Sequence, residues 1–300
     1  MKKNKFLFCI GLLLTVATIV NAQSVTWISS TEGNVWQKSK VKLQSKSEQN
    51  PVLQVDGTEN GVAFKNWGTT FNELCWDALG LLTRTEQDEI LYNIFSPQGD
   101  LRITRGRISM GANDYARSWY SCDEVEGDFE LRYFNINRDK QTIIPFIRAA
   151  QKYNPNLTFW ISPWCPPSWM KINGDYPVLS SPFNSLSEKQ NYLLYGATGG
   201  QVDENEMKLT GARDGVFPRQ LATTDFMIQD PRYLQTYADY FCRFIDAYKE
   251  QGIPIDMVMY QNEAYSYTPY PGCAWTATGT IRFNKEYLAP TLRQMHPEVK

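Results

Sequence analysis

Residues 231–260 have the sequence PRYLQTYADYFCRFIDAYKEQGIPIDMVMY, which predicts a helix followed directly by a buried strand. Asp230 precedes the helix as its N-cap, and Pro231 occupies the first helical position. Apolar side chains then recur at helical spacing, at Leu234, Tyr237, Phe241, Ile245 and Tyr248. The stretch Ile255 to Tyr260 is apolar except for Asp256, as expected of a parallel strand buried on both faces. A helix leading into such a strand indicates an α/β fold.

The same alternation of strand and helix occurs upstream and downstream of this stretch. Strands are predicted over Gly61–Thr70, Leu101–Met110 and Leu157–Ser162. Helices are predicted from a Thr85 cap to Phe95, over Asp139–Tyr153, and over Ile281–Met295 with a kink at Pro290. Four consecutive βα units predict a parallel sheet with crossover helices. A (β/α)8 barrel would need eight units, and an open doubly wound sheet of four strands is the competing architecture. Val299-Lys300 looks like the start of a fifth strand.

The N-terminus has the pattern of a secretory signal peptide. Lys2, Lys3 and Lys5 precede an apolar run from Phe6 to Val20, and Ala22 provides a cleavage site before Gln23. We expect a secreted or periplasmic protein with no stable membrane insertion after cleavage; the alternative is a retained N-terminal anchor. Three segments are therefore predicted: a signal peptide over 1–22, a β segment over 23–58 and the βα region over 59–300.

The β segment contains two stretches that alternate at period two. These are Ser24 to Ile28 and Val41 to Gln44, which predict exposed antiparallel strands. Asp56-Gly57 is a predicted hairpin turn.

Composition excludes several classes of function. The net charge is −2 with no basic stripe, which argues against a nucleic-acid partner. His296 is the only histidine, so Ser–His–Asp catalysis and multi-histidine zinc sites are excluded. No CxxC pair occurs, and Trp67 to Thr70 lacks the glycine spacing of a nucleotide-binding loop. We therefore predict no cofactor and no metal. Aromatic residues make up 14% of the chain, which fits either a sugar-binding surface or an aromatic core.

Gln261-Asn262-Glu263 follows the predicted fourth strand directly. A carboxylate at the C-terminal end of a buried parallel strand lies where barrel enzymes build their active sites. Glycoside hydrolysis requires two carboxyl groups, one of which protonates the leaving group. Glu263 suits the role of that acid, and Asn262 can bind a sugar hydroxyl.

The run Trp164 to Lys171 follows the predicted third strand and contains two tryptophans and two prolines. We interpret Trp164 and Trp169 as a sugar platform; the alternative is that one of them packs beneath the loop. The long connection from Lys171 to Asp230 is interpreted as a loop that shapes substrate binding rather than an insertion without function.

These motifs together resemble glycoside hydrolase family 30, the glucosylceramidase-like family of clan A. Its S-P-W-S-P-P-x-W-M-K-x-N-G signature resembles residues 162–174. Its first-strand and second-strand elements resemble Gly68 to Leu74 and Arg107 to Tyr115. Its acid/base Asn-Glu pair matches Asn262-Glu263 in collinear order. The resemblance implies a (β/α)8 TIM barrel of which the chain holds the first four units, with a side β-domain begun by the N-terminal β segment.

The resemblance also implies a retaining β-glycosidase. Glu263 would be the acid/base and Asn262 would bind the sugar 2-hydroxyl. Trp164, Asn72 and Glu73 would contact the same sugar, and Asp114 would shape the pocket. Two departures are Ala264 in place of the usual proline and Asn72 where several members have aspartate. The second departure leaves open which of Asn72 and Glu73 contacts the sugar.

The family nucleophile is a glutamate on the seventh strand, so we expect it to be missing from this chain. Residues 23–300 alone are then predicted to have little or no hydrolase activity. Simple β-glucosides, glucosylceramide, β-1,6-glucan and β-xylan-type polymers are candidate substrates. A non-catalytic carbohydrate-binding protein and a protein-interaction scaffold are the alternatives; the sequence predicts no oligomeric state.

Overall fold

The computed structural model describes residues 24–42, 61, 67–182, 184, 186, 225–264 and 266–300. The chain divides into two compact units, Met1–Ala63 and Phe64–Lys300. The predicted signal peptide, the Asp56-Gly57 turn and most of the connection from Lys171 to Asp230 lie outside the described residues. No helix within the described ranges has both the length and the apolar character needed to cross a bilayer.

The first unit contains an antiparallel hairpin of strands β1 (Ser24–Thr31) and β2 (Asn34–Lys42). The strands turn at Glu32-Gly33, and Gly33 has a φ of 80°, a conformation that glycine adopts without strain. The first strand begins at the predicted residue. The second begins at Asn34, well before the predicted Val41, because the turn comes early.

The second unit is built on a four-stranded parallel sheet of β3 (Gly68–Phe71), β4 (Arg105–Ser109), β5 (Thr158–Ser162) and β6 (Ile255–Val258). The strands neighbour one another in chain order. A doubly wound sheet reverses its strand order at a switch point, so this order favours barrel topology. Val258 N donates to Lys300 O at 2.8 Å and Lys300 N to Asp256 O at 3.0 Å, where the predicted fifth strand would begin.

Helices follow each strand of the sheet, and those between β3 and β6 form its crossover connections. They are α1 (Glu73–Gly80), α2 (Arg84–Phe95), α3 (Ile143–Gln151), α4 (Pro231–Glu250), α5 (Ala277–Arg282) and α6 (Ala289–Met295). Helix α4 begins and ends as expected: the Asp230 side chain accepts from Arg232 N at 2.8 Å, and the predicted apolar stripe is buried. A 3-10 turn (Asp139–Gln141) precedes α3, and another (Ser168–Met170) follows β5.

The structure corrects three of the predicted elements. Helix α1 was not predicted, and the cap of α2 is Thr83 rather than Thr85. Thr83 N donates to Glu86 Oε2 at 2.8 Å while Glu86 N donates to Thr83 Oγ1, so the two residues form a capping box. Strand β6 is only partly buried beyond Ile255, because it lies at the edge of the described sheet.

A π-helical stretch precedes Pro290, where the sequence predicts a kink. Residues Phe283–Leu288 connect α5 to α6 in this wider geometry, directly before the proline. Pro290 has no N–H, so an α-helix would lack the hydrogen bond to Glu286 O in any case. The change from α to π geometry here therefore loses no hydrogen bond at that position.

Aromatic side chains fill much of the core. Phe71 packs against Phe146 and Phe159 at ring-centroid distances of 4.8 and 6.0 Å. A Cβ at Gly106 would lie within 3 Å of the Phe71 and Phe159 rings, so β4 needs glycine there. The high aromatic content therefore serves the core, at least in part.

Asp139 is an ionisable group inside this core. Asp139 is fully buried and accepts from Tyr120 OH at 2.7 Å and Tyr248 OH at 2.6 Å. Burial raises the pKa of Asp139 to about 6, although both tyrosine hydroxyls act in the opposite direction.

Candidate active site

The C-terminal ends of three strands bring Arg107, Ser162 and Asn262 together. Arg107 donates from Nε and Nη2 to Ser162 Oγ at 3.0 and 2.7 Å, and from Nη2 to Asn262 Oδ1 at 2.6 Å. Asn262 N donates to Pro163 O at 2.8 Å, which fixes the backbone as well. Because the guanidinium occupies Oδ1, the Asn262 amide presents its Nδ2 group to a ligand as a donor.

Arg107 is also stacked on two aromatic rings. Its guanidinium lies 5.1 Å from the Trp160 ring centre and 5.7 Å from that of Trp164. Burial lowers the pKa of Arg107, and the carboxylates of Asp114 and Glu263 raise it. Sequence reasoning assigned this residue no role. The sequence does contain a signal for such a role, because a charged side chain inside a buried parallel strand needs a partner.

Glu263 is exposed and has a strained backbone. Its φ of 45° lies in the left-handed region, which is uncommon for a residue with a side chain. Hydrogen bonds on either side hold it there: Asn262 N donates to Pro163 O, and Trp275 N donates to Ala264 O at 2.8 Å. Strain that the surroundings enforce in this way is concentrated at functional sites.

Asp114 and Tyr270 both interact electrostatically with Glu263. Desolvation raises the pKa of Asp114, Arg107 lowers it and Glu263 raises it. Burial raises the pKa of Tyr270, and the carboxylates of Glu263 and Asp114 raise it further. The Tyr270 and Trp164 rings lie 5.8 Å apart. Trp164, Asn262, Glu263 and Gly272 line a shallow depression at this point.

Residues 64–181 match the family described as the glycosyl hydrolase family 30 TIM-barrel domain. The resemblance to glycoside hydrolase family 30 is confirmed. The match covers β3 to β5 and ends before α4, and the Asn262-Glu263 pair lies beyond it.

Known proteins are similar to this chain over most of its length. A predicted glucosylceramidase of Caenorhabditis elegans is 27% identical over 250 residues, covering 83% of this chain and 40% of the relative. An endo-1,6-β-D-glucanase of Aspergillus fumigatus is 25% identical over 252 residues, covering 82% of this chain and 45% of the relative. The chain thus spans less than half the length of these two relatives.

The crystal structure of SrfJ from Salmonella typhimurium has a similar fold. It aligns with a TM-score of 0.61 and 19% identity, covering 91% of this chain and 52% of that protein. At this identity the likeness shows the fold alone.

Two of the residues expected to contact sugar have partners within the protein. Asn72 Oδ1 caps α1 by accepting from Cys75 N at 2.9 Å. The buried Glu73 accepts from Arg138 Nη2 at 2.6 Å, from Arg117 N at 2.8 Å and from Thr142 Oγ1 at 3.2 Å. These bonds lower its pKa against the opposing effect of burial. The structure does not bring Asn72 and Glu73 into contact with Asn262 or Glu263, and their contact with sugar stays a prediction.

Trp169 is the tryptophan that packs beneath the loop. It is 9% exposed, donates from Nε1 to Asp123 O at 3.1 Å and packs against Phe129 and Tyr233. The platform role predicted for it is therefore corrected to interior packing, and Trp164 keeps the position beside Glu263.

The cysteines and acidic groups of the described residues form no further centre. Cys75, Cys122, Cys165, Cys242 and Cys273 are free thiols in the structure. Burial raises the pKa of Cys165 to about 11, so the thiol beside Trp164 is a packed group rather than a nucleophile. Among the described residues, no three His, Cys, Asp or Glu side chains are grouped as metal ligands.

Proposed function

We propose that this chain supplies the acid/base part of a retaining β-glycosidase, with Glu263 as the proton donor. The observation that carries the proposal is the exposed Glu263 next to an Asn262 amide that Arg107 orients at 2.6 Å. The family 30 match and the position after β6 support it.

The proposed reaction gives each group a defined role. A glycoside lies against Trp164, and Asn262 Nδ2 donates to the 2-hydroxyl of the sugar. Glu263 gives its proton to the glycosidic oxygen as the bond from that oxygen to the anomeric carbon breaks. The anomeric carbon forms its new bond to the nucleophilic carboxylate that the resemblance places on a seventh strand, which gives a glycosyl-enzyme intermediate. The Glu263 carboxylate then takes a proton from the water that hydrolyses the glycosyl-enzyme intermediate.

The proposed substrates contain a β-glucosyl group: a simple β-glucoside, a glucosylceramide-like glycolipid or a β-1,6-glucan. The names of the relatives, a glucosylceramidase and an endo-1,6-β-glucanase, support this range. We assign the nucleophile to no residue of this chain, because the resemblance places it on a seventh strand. Residues 23–300 alone are then expected to release no aryl group from a β-glucoside; burst release would refute this point.

Glu263→Gln in the full protein tests the acid/base assignment. We expect kcat to fall about 10²- to 10⁴-fold on an alkyl β-glucoside, whose leaving group needs a proton. Formation of the glycosyl-enzyme from a dinitrophenyl β-glucoside should persist, because that leaving group departs unprotonated.

The matched control is Glu250→Gln, an exposed glutamate at the end of α4, which should leave both rates unchanged. Full activity of Glu263→Gln on the alkyl glucoside would contradict the assignment. Sugar binding without turnover in the unmodified protein would instead favour the carbohydrate-binding alternative.

A further inference from the structure

A second aromatic pair lies near the candidate active site and has no role in the reaction described above. Trp119 is in the segment between β4 and α3, and Tyr176 is in the turn that follows the Trp164–Lys171 run. Their ring centroids are 6.3 Å apart with planes inclined at 49°. Both residues are half-buried, as Trp164 is.

A backbone hydrogen bond connects this pair to the depression beside Glu263. Gly272 N donates to Tyr176 O at 3.0 Å, and Gly272 lines the depression together with Trp164 and Glu263. Tyr176 is therefore joined through Gly272 to the depression that Trp164 lines, and Trp119 packs against Tyr176.

The turn that carries Tyr176 is held by a buried cation. Lys171 is 2% exposed, and its Nζ donates to the carbonyl oxygens of Asp175, Tyr176 and Pro177 at 2.5, 2.7 and 3.1 Å. Asn173 Nδ2 also donates to Pro177 O at 2.8 Å. A ring on a turn fixed in this way can bind a ligand with little further loss of conformational entropy.

Polar groups surround the pair, which distinguishes a sugar from a lipid tail. Burial raises the pKa of Tyr176, and the nearby Glu124 carboxylate raises it further. Glu124 is exposed and accepts from Ser168 N at 3.1 Å and Oγ at 2.5 Å. An aromatic face bordered by a carboxylate and hydroxyls suits a pyranose ring, which has apolar C–H faces and a polar rim. Sugar hydroxyls can form further hydrogen bonds with these groups, whereas an acyl chain can form none.

We propose that Trp119 and Tyr176 form a second sugar-binding subsite, which takes the pyranose ring next to the sugar bound at Trp164. The inference rests on the proposed glycosidase function and makes that function more specific. The substrate class is then a β-linked gluco-oligosaccharide or polysaccharide, rather than a glucoside with a lipid tail.

Trp119→Ala in the full protein tests the subsite by substrate length. We expect kcat/KM on β-linked gluco-oligosaccharides of two to four units to fall about tenfold, the equivalent of one lost stacking contact. The rate on an aryl β-glucoside, which has one sugar, should stay within twofold. Trp119→Phe keeps an aromatic face and should restore most of the rate. Tyr133→Ala removes an exposed aromatic ring of the same segment and should change kcat/KM on neither substrate.

Equal losses on both substrates, or no loss on the oligosaccharides, would overturn the proposal. If Trp119→Ala lowers the rate on octyl β-glucoside more than the rate on methyl β-glucoside, the pair binds a lipid tail and the proposal is overturned. If the unmodified protein hydrolyses neither substrate, the proposed glycosidase function is refuted, but the subsite is still testable. Calorimetric measurement of sugar binding then tests the subsite without turnover. Tighter binding of a trisaccharide than of methyl β-glucoside, lost in Trp119→Ala, would support it, and its absence would overturn it.

Discussion

Lys171→Met should loosen the turn that lies beside the candidate active site. The buried ammonium bonds three consecutive carbonyl oxygens, as described above. The same turn pairs with the chain after Glu263, since Val178 N and Leu179 N both donate to Thr268 O at 3.0 Å. Methionine has nearly the length of lysine, so the substitution removes the charge and the donors without opening a large cavity.

The expected loss of stability follows from three competing terms. Hydrogen bonds to a charged group contribute about 1.5–3 kcal/mol each, so the three contacts together contribute roughly 5–9 kcal/mol. Removing a buried ammonium recovers several kcal/mol of desolvation cost. Two of the carbonyls also keep a donor, from Gly272 N and Asn173 Nδ2. We therefore expect a net loss of about 2–4 kcal/mol, or roughly 4–16 °C in Tm for a unit of this size.

Thermal unfolding of the unmodified protein and Lys171→Met measures the total effect, and amide hydrogen exchange measures where it occurs. The amides of Val178, Leu179 and Gly272 should lose protection from exchange. The amides of α4 should lose only the protection that corresponds to the fall in the free energy of global unfolding. Lys140→Met is the control, because Lys140 is exposed. A loss below about 1 kcal/mol, or unchanged protection at those three amides, would refute the reasoning.

Three other substitutions have expected outcomes of different kinds. The folded-state pKa of Asp139, about 6, lies above its unfolded value, so this carboxyl makes the protein less stable as pH rises from about 4 to 6. Asp139→Asn should remove this dependence of stability on pH. Urea midpoints that change with pH equally in the two proteins across this range would contradict the prediction. Arg107→Lys cannot bond Ser162 and Asn262 with the same fork, so kcat/KM should fall at least tenfold with little change in Tm; full activity would contradict the positioning role. Thr83→Ala should cost about 1 kcal/mol in urea unfolding and Thr85→Ala close to nothing, because only Thr83 caps α2; equal costs would contradict the observed cap.

The elements that sequence could predict well are those with local signals. Helix α4 has a cap, a proline at its first position and an apolar stripe, and its observed bounds equal the predicted ones. The placement of Asn262-Glu263 beside Trp164 followed from a general property of parallel sheets, whose strands all end at one edge. Neither prediction required knowledge of any specific contact across the sheet.

The features that sequence missed depend on distant pairings. Arg107 reaches Asn262 because β4 and β5 align Arg107 with Trp160, and β6 is the next strand. Glu73 is paired with Arg138, a residue 65 positions away, and nothing local distinguishes that ion pair from a sugar contact. Trp164 and Trp169 share one motif, but the 3-10 turn Ser168–Met170 directs only the second indole into the core.

These pairings make the loops after β5 and β6 a single structural unit. Gln261 Nε2 donates to Trp164 O at 2.7 Å, Asn262 N donates to Pro163 O, and Gly272 N donates to Tyr176 O. The loop with the proposed proton donor is therefore bonded to the loop that contains Trp164 and Tyr176, both before and after Glu263. A substitution that moves one loop must displace the other, so substrate binding and proton transfer should change together. Trp119 lies on the segment after β4, outside this pair of loops, which is why its removal is expected to change substrate length preference alone.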